Sequence, residues 1–178
     1  MKKIVLFFLS FLVTTTFCVA QQNELGVVIG SYNGLSYKRV VNTKFATLTE
    51  LGFGLQSTKF IESNRAGGLN ISIHGNIDLW DIHVNQNFLF NYEISSNLFF
   101  YVGGGVTIGY ARIFDASEEF TKGGMNAIIG AEFRLPTAPL GIAFDFRPGY
   151  ATLMSSSERN VNLSIFDWKL ALALRYCF

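Results

Sequence analysis

Every second residue from Trp168 to the end of the chain is apolar or aromatic: Trp168, Leu170, Leu172, Leu174, Tyr176 and Phe178. Between them stand Lys169, Ala171, Ala173, Arg175 and Cys177, which are small or charged. A strand sends successive side chains to opposite faces. This strand therefore has one greasy face with aromatic ends and one face that is small and charged. A soluble sandwich would bury the greasy face and put the charges in water. A membrane barrel does the reverse, with apolar side chains on lipid and polar ones in the lumen. An aromatic last residue with no polar tail is expected of the second arrangement.

The first twenty residues carry a compatible pattern. Lys2 and Lys3 precede an apolar run over residues 4–13 broken only by Ser10, then three threonines, then Cys18-Val19-Ala20. Small residues at Cys18 and Ala20 fit a three-residue cleavage pattern, so residues 1–20 are expected to be a secretory signal peptide and 21–178 the mature domain. The apolar run is short for a span of about 20 residues, which disfavours an uncleaved anchor. Thr16-Phe17 before Cys18 is a poor lipobox. No later segment reaches 18 unbroken apolar residues, so no transmembrane helix is expected.

Composition narrows the options further. The chain is 49% hydrophobic with 18 Phe and 17 Gly, yet offers no helical span. That balance suits a lipid-exposed sheet. Without Lys2 and Lys3 the 14 basic residues fall to 12 against 13 acidic ones, a net charge of −1. Nucleic acid is therefore not an expected partner. Only Cys177 remains beyond residue 20, which excludes an intramolecular disulfide in the mature chain.

Alternation recurs along the mature chain and predicts eight strands. The connections after the second, fourth and sixth are short: Asn42-Thr43-Lys44, Ser95-Ser96 and Pro136-Thr137-Ala138-Pro139. Those after the third, fifth and seventh are longer and polar, giving expected surface loops over residues 56–81, 111–122 and 151–162. Within the first of these, residues 57–68 read as a polar loop and 69–77 as a possible arm of an extended hairpin. The first connection is short where a long one would be usual, with Tyr32-Asn33-Gly34 as its expected turn because Asn-Gly supplies the positive φ of a tight hairpin. Short turns on the side of both termini and longer loops on the other are the asymmetry of a transmembrane barrel. Eight tilted strands close into a cylinder filled by side chains, and closure removes the edges lipid cannot tolerate.

By this pattern the mature chain resembles the small eight-stranded outer-membrane barrels of the OmpA/OmpX type. The resemblance covers nearly all of it and implies an all-β, antiparallel, up-and-down transmembrane barrel. It also implies location in a Gram-negative outer membrane with both termini in the periplasm. The face of Trp168, Leu170, Leu172, Leu174, Tyr176 and Phe178 then resembles the closing-strand signal read by the barrel-assembly machinery, a partner alongside outer-membrane lipid. A further extracellular partner would be met through the loops. The pattern is shared by barrels with unrelated jobs, so it speaks to architecture more than to function.

The inward faces are expected to carry Glu24, Lys38, Glu50, Glu93, Glu132, Arg134, Asp145, Arg147, Asp167, Lys169 and Arg175. Inward charges must pair or stay wet, because an isolated buried charge is very costly. Their near balance fits a filled lumen of mutually neutralising pairs, and the alternative is a narrow ion or solute path. Glu132/Arg134 and Asp145/Arg147 share an i, i+2 spacing on neighbouring strands and are expected to form a four-residue ladder. Gly103-Gly104-Gly105 lacks the Lys of a phosphate loop. It is read as room for a bulky lumen neighbour or as a bulge, with Leu89, Phe99 and Tyr101 pointing inward. Tyr32, Tyr37, Tyr92, Tyr110, Tyr150, Trp168, Tyr176 and Phe178 are expected to form headgroup girdles.

His74 and His83 are the only histidines. Ser72 and Glu62 lie near His74 in sequence, and a lipid-modifying hydrolase would need such a set, but a triad is recognised by geometry. The spacings of His74, Asp78, Asp81 and His83 match no strong metal motif. No catalytic residue, metal or cofactor is therefore expected. The reading is a structural or surface-interaction barrel, with a narrow pore, a lipid-modifying enzyme and a soluble lipocalin-like carrier as alternatives.

Overall fold

The computed structural model describes residues 23–66, 69–113, 119–155 and 162–178; side chains are described over the same residues except 56–66, 69–78, 113, 162, 163 and 167. The expected signal peptide, residues 1–20, lies outside them. Eight strands follow in chain order: β1 (Asn23–Gly30), β2 (Asn33–Val40), β3 (Phe45–Ala66), β4 (Leu69–Ser95), β5 (Leu98–Ile113), β6 (Glu119–Arg134), β7 (Leu140–Ser155) and β8 (Asn162–Cys177). Each pairs antiparallel with the next, and β1 pairs with β8, so the sheet closes into an up-and-down barrel. The two chain ends lock the seam at one rim: the Asn23 and Phe178 N–H groups each donate to the other residue's carbonyl at 2.8 Å. Closure gives every strand a paired neighbour on both sides, which is what lets a sheet sit in hydrocarbon.

The two faces separate as the alternation predicts. On β8, Trp168, Leu170, Leu172, Leu174, Tyr176 and Phe178 face outward, while Ala171, Ala173 and Arg175 are buried inside. The outer face is apolar all round the barrel, from Leu25 and Val27 on β1 to Phe144 and Phe146 on β7. Charges and amides fill the inner face, as an inverted sheet requires.

The terminal rim carries the expected short turns. Asn42 Oδ1 accepts from the N–H groups of Lys44 and Phe45, both at 2.8 Å, an Asx-type device that tightens the β2–β3 turn. The proline-bounded connection joins β6 to β7, and the third short turn falls one residue later than expected, at Ser96-Asn97.

Three expectations change at the far end. Residues 57–66 and 69–81 are not a loop. β3 and β4 stay in register from Phe45↔Phe90 to Ala66↔Leu69, one continuous hairpin. The local alternation of residues 69–77, read as a possible arm, extends to both strands because each satisfies the other's backbone. β6 begins at Glu119, so the expected loop after β5 is also shorter. Finally, the first turn lies at Ser31-Tyr32, and Asn33 and Gly34 already belong to β2. Tyr32, Gly34, Ser36 and Lys38 form one inward column there, and a turn at Asn-Gly would break it.

That short first hairpin reshapes the barrel. β1 and β2 have eight residues each, against sixteen or more in the other strands. Above their turn β3 pairs directly with β8, through Phe60↔Ile165, Ile61↔Ser164 and Glu62↔Leu163. The wall is thus eight strands at the terminal rim and six, β3 through β8, at the far end.

Candidate functional site

The lumen is the one place where reactive or charged groups of the described residues converge. Near the terminal rim Lys38 Nζ lies 2.6 Å from Glu132 and 3.5 Å from Glu24. Arg134 lies 2.9 Å from Glu132 and also pairs with Glu24. Arg175 reaches Glu132 at 3.1 Å and Asp145 at 3.6 Å. Arg147 lies 2.6 Å from Asp145 and holds Glu50 through two guanidinium nitrogens. Glu24, Lys38, Glu50, Glu132, Arg134, Asp145, Arg147 and Arg175 therefore form one continuous network of four acids and four bases. Its struts cross the lumen, β2 to β6, β1 to β6 and β3 to β7. All but Arg134 are almost wholly buried. At that depth pairing is the condition for charge to exist at all.

The network is not the simple ladder its spacing implies. Glu132 stands opposite Ala143 and Arg134 opposite Gly141, while Asp145 stands opposite Gly130. Each i, i+2 pair closes on itself, and Arg175 bridges the two. Tyr101 donates its O–H to Asp145. Its ring lies where a side chain on Gly130 would be, since a Cβ there would come 2.5 Å from the ring and 2.4 Å from Asp145 Oδ1. Arg134 stacks over Phe99, 4.4 Å from its centroid.

A second group lies farther up. Asp81 Oδ2 is 2.6 Å from Lys122 Nζ and 2.9 Å from His83 Nδ1. Tyr32 tilts over His83 with centroids 5.4 Å apart and donates to Glu50 at 3.3 Å. Gly52 leaves room for that pair, as a Cβ there would come 2.6 Å from His83 Nε2. Amides fill the intervening space: Asn126 donates to Asn87 at 2.7 Å and Thr107 to Asn85 at 2.6 Å. A cavity of about 30 Å³ remains between Asn85, Thr107, Lys122, Asn126, Arg147 and Lys169. It has room for about one or two waters.

Above these polar layers the lumen turns apolar. Leu79, Ala111, Phe120, Ala151, Leu153 and Ile165 pack into one cluster, contributed by the five strands β4 to β8 and nearly inaccessible throughout. The cap forms where the wall has narrowed to six strands. A smaller circumference brings opposite walls within reach of ordinary aliphatic side chains.

Most of the expected inward charges are found inside. Glu93 is a correction: it stays in register opposite Phe99 but is exposed, because it stands at the terminal rim, where β4 ends. The Asp167 side chain lies outside the described residues, as do those of Glu62, Ser72, His74 and Asp78. Lys169 is buried and places its Nζ 5.4 Å from the Tyr32 ring. Tyr32 is a second correction: it is not a girdle residue but is buried in the lumen, while Tyr92, Tyr150, Trp168, Tyr176 and Phe178 do stand outside. The triple glycine is regular strand, paired with Asn126 to Ile128 without a bulge, and Gly103 stands beside the inward Leu89. Lys122 and Asp81 were hidden by reading loops into their segments. Continuing the period of two past Gly123-Gly124 and back from His83 would have placed both inside. Among the described residues no cluster of His, Cys, Asp and Glu could hold a metal ion.

No protein-family model and no curated protein matches this chain. Solved structures do match. One is Neisserial surface protein A, at 11% identity and a TM-score of 0.50, covering 89% of this chain and 94% of that one. Another is a major outer membrane protein from Thermus thermophilus, at 10% identity and 0.50, covering 90% and 100%. The N-terminal β-barrel domain of Pseudomonas aeruginosa OprF follows at 12% and 0.48, covering 89% and 96%. The chain has the fold of a small outer-membrane barrel. At these identities the likeness extends to the fold alone, so what such a barrel does must be argued from its own lumen and surfaces.

Proposed function

We propose that this chain is an integral outer-membrane barrel with a sealed lumen, serving envelope integrity or surface contact without transport or catalysis. The observation that carries the reading is the layering of the lumen. Two paired-charge layers fill it, and the apolar cluster around Phe120 and Leu153 closes it at the far end. An ion would have to break buried pairs and then cross an apolar constriction. The outward apolar face, which no helix of the described residues covers, supports membrane insertion over a soluble carrier. In this reading the terminal rim with its short turns faces the periplasm, and the β3–β4 hairpin projects outside as the surface for a partner. The face of Trp168, Leu170, Leu172, Leu174, Tyr176 and Phe178 would be handed to the barrel-assembly machinery.

Planar-bilayer recording tests the sealed lumen. The purified barrel should insert without reproducible conductance steps, and steps of constant size would replace this reading with a narrow pore. His74→Ala should leave envelope lipid composition unchanged; altered acyl chains would revive the enzyme.

A further inference from the structure

The outer face of β4 carries one amide in the middle of its apolar stretch. Gln86 stands between the buried Asn85 and Asn87, so it points outward. Its outward neighbours are apolar: Leu51, Val84, Phe88 and Val106 are 47–66% accessible. Along β4 it lies six residues from Tyr92, near the terminal rim, and six from Trp80, whose ring packs on Tyr110 with centroids 5.9 Å apart. At about 3.3 Å per residue on strands tilted by roughly 40°, each aromatic level is about 15 Å away in height, which puts Gln86 near the midplane of an apolar band about 25 Å tall.

Only one end of this amide is satisfied. Thr49, its cross-strand partner, donates its O–H to Gln86 Oε1 at 2.7 Å. No described residue accepts from the Gln86 amide N–H groups. A glutamine side chain cannot reach the headgroups from that depth, and hydrocarbon offers no acceptor. Whatever satisfies it must carry an acceptor at the same height. A second copy inserted in the same sense brings one without adjustment, because its own Gln86 lies there. An amide is both donor and acceptor. Two of them facing each other across a twofold axis complete one another, which is the self-complementarity an isologous contact requires.

Strand tilt places Gln86 on a line along which two barrels can touch. Phe88, the partner of Thr47 on β3, lies two residues below Gln86, and Val106, the partner of Gln86 on β5, lies two below Ile108. One strand across and two residues up, at this tilt, is close to straight up. Thr47, Gln86 and Ile108 therefore stack in a column along the membrane normal, and two upright cylinders meet along such a column.

We infer that two copies of this barrel associate side by side in the membrane along the Thr47–Gln86–Ile108 column, their Gln86 amides hydrogen-bonded across the twofold axis. This rests on the membrane reading above.

Cross-linking and energy transfer in phosphatidylcholine vesicles test it, in full-length mature barrels carrying Cys177→Ser. Ile108→Cys should oxidise to a single product of twice the barrel mass, and Leu172→Cys, on β8 away from the column, should not. Energy transfer between donor- and acceptor-labelled copies should fall as lipid dilutes the protein. Gln86→Leu should raise the protein-to-lipid ratio needed for half-maximal transfer by roughly tenfold, the worth of two hydrogen bonds between membrane segments. Its heat-modifiable band should be unchanged, because leucine suits a lipid face. An unchanged ratio in Gln86→Leu would overturn the inference. So would equal cross-linking of Leu172→Cys, or no transfer at any ratio. In intact outer membranes, an Ile108→Cys product containing a different protein would overturn the assignment to a second copy. Failure of the membrane reading itself would be read separately, as a chain with no heat-modifiable band that stays soluble without detergent.

Discussion

Arg175 is the keystone of the lumen, and removing it should cost more than removing any surface charge. It is fully buried and bridges Glu132 and Asp145, the acids through which the Lys38/Arg134 half of the network meets the Arg147/Glu50 half. In Arg175→Met three cations would face four carboxylates, all but Arg134 of them almost wholly buried. Breaking one member of a buried ionic network typically costs about 3–5 kcal/mol, most of it the burden of the charge left behind. Methionine keeps the apolar volume of the side chain, so the loss would reflect charge more than packing. Equilibrium unfolding in urea of barrels refolded into lipid vesicles measures it, with tryptophan fluorescence and unheated gel mobility as independent probes. The decisive comparison is the double variant Arg175→Met/Asp145→Asn, which restores three cations to three acids. It should recover about 1–3 kcal/mol of the single-variant loss, the range of coupling seen for groups within one network. A single variant within about 1 kcal/mol of the parent, or a double variant whose losses simply add, would refute the claim that pairing holds this lumen together.

The remaining expectations concern the walls and the cap. Leu172→Arg puts a charge on the lipid face of β8 and should cost about 2–4 kcal/mol near the midplane, read as loss of the heat-modifiable band; normal assembly would overturn the outward register. Gly130→Ala forces a Cβ against the Tyr101 ring and Asp145, so a loss of about 1–3 kcal/mol is expected, and Tyr101→Leu in the same chain should relieve part of it. Phe120→Ala hollows the apolar cap at a cost of about 3–5 kcal/mol, yet bilayer recordings should stay silent because both ionic layers remain below it. Asn42→Ala removes the side-chain acceptor of two backbone N–H groups in the β2–β3 turn, with an expected loss of about 1–2 kcal/mol in the same unfolding assay.

The terminal half of the barrel was legible because its rule is local. Each strand there needs only a period of two and a short turn, and Lys169, Arg175, Glu132 and Arg147 can be assigned a side by counting from the nearest outward aromatic. What the sequence could not show was anything decided by a partner strand. The polar residues of 57–66 read as a loop because hydrophilicity alone resembles irregularity, whereas pairing with 69–78 makes them strand whatever their polarity. Tyr32 read as a girdle aromatic because it lies at a strand end. In three dimensions that end lies beneath the wall, where Glu50, His83 and Arg147 can receive it. Glu93 is exposed for a different reason: alternation assigns a face but does not say where a strand meets the rim.

One departure in the pattern, the short first connection, proves to govern the far half of the molecule. With β1 and β2 ending early, β3 must either expose a long edge to lipid or find another strand, and it finds β8. That pairing trades an eight-strand circumference for six. The narrower tube can then be closed by Leu79, Phe120, Leu153 and Ile165, with no need for charged side chains long enough to cross it. The apolar cap is thus a consequence of one short hairpin, and lengthening that hairpin should loosen it.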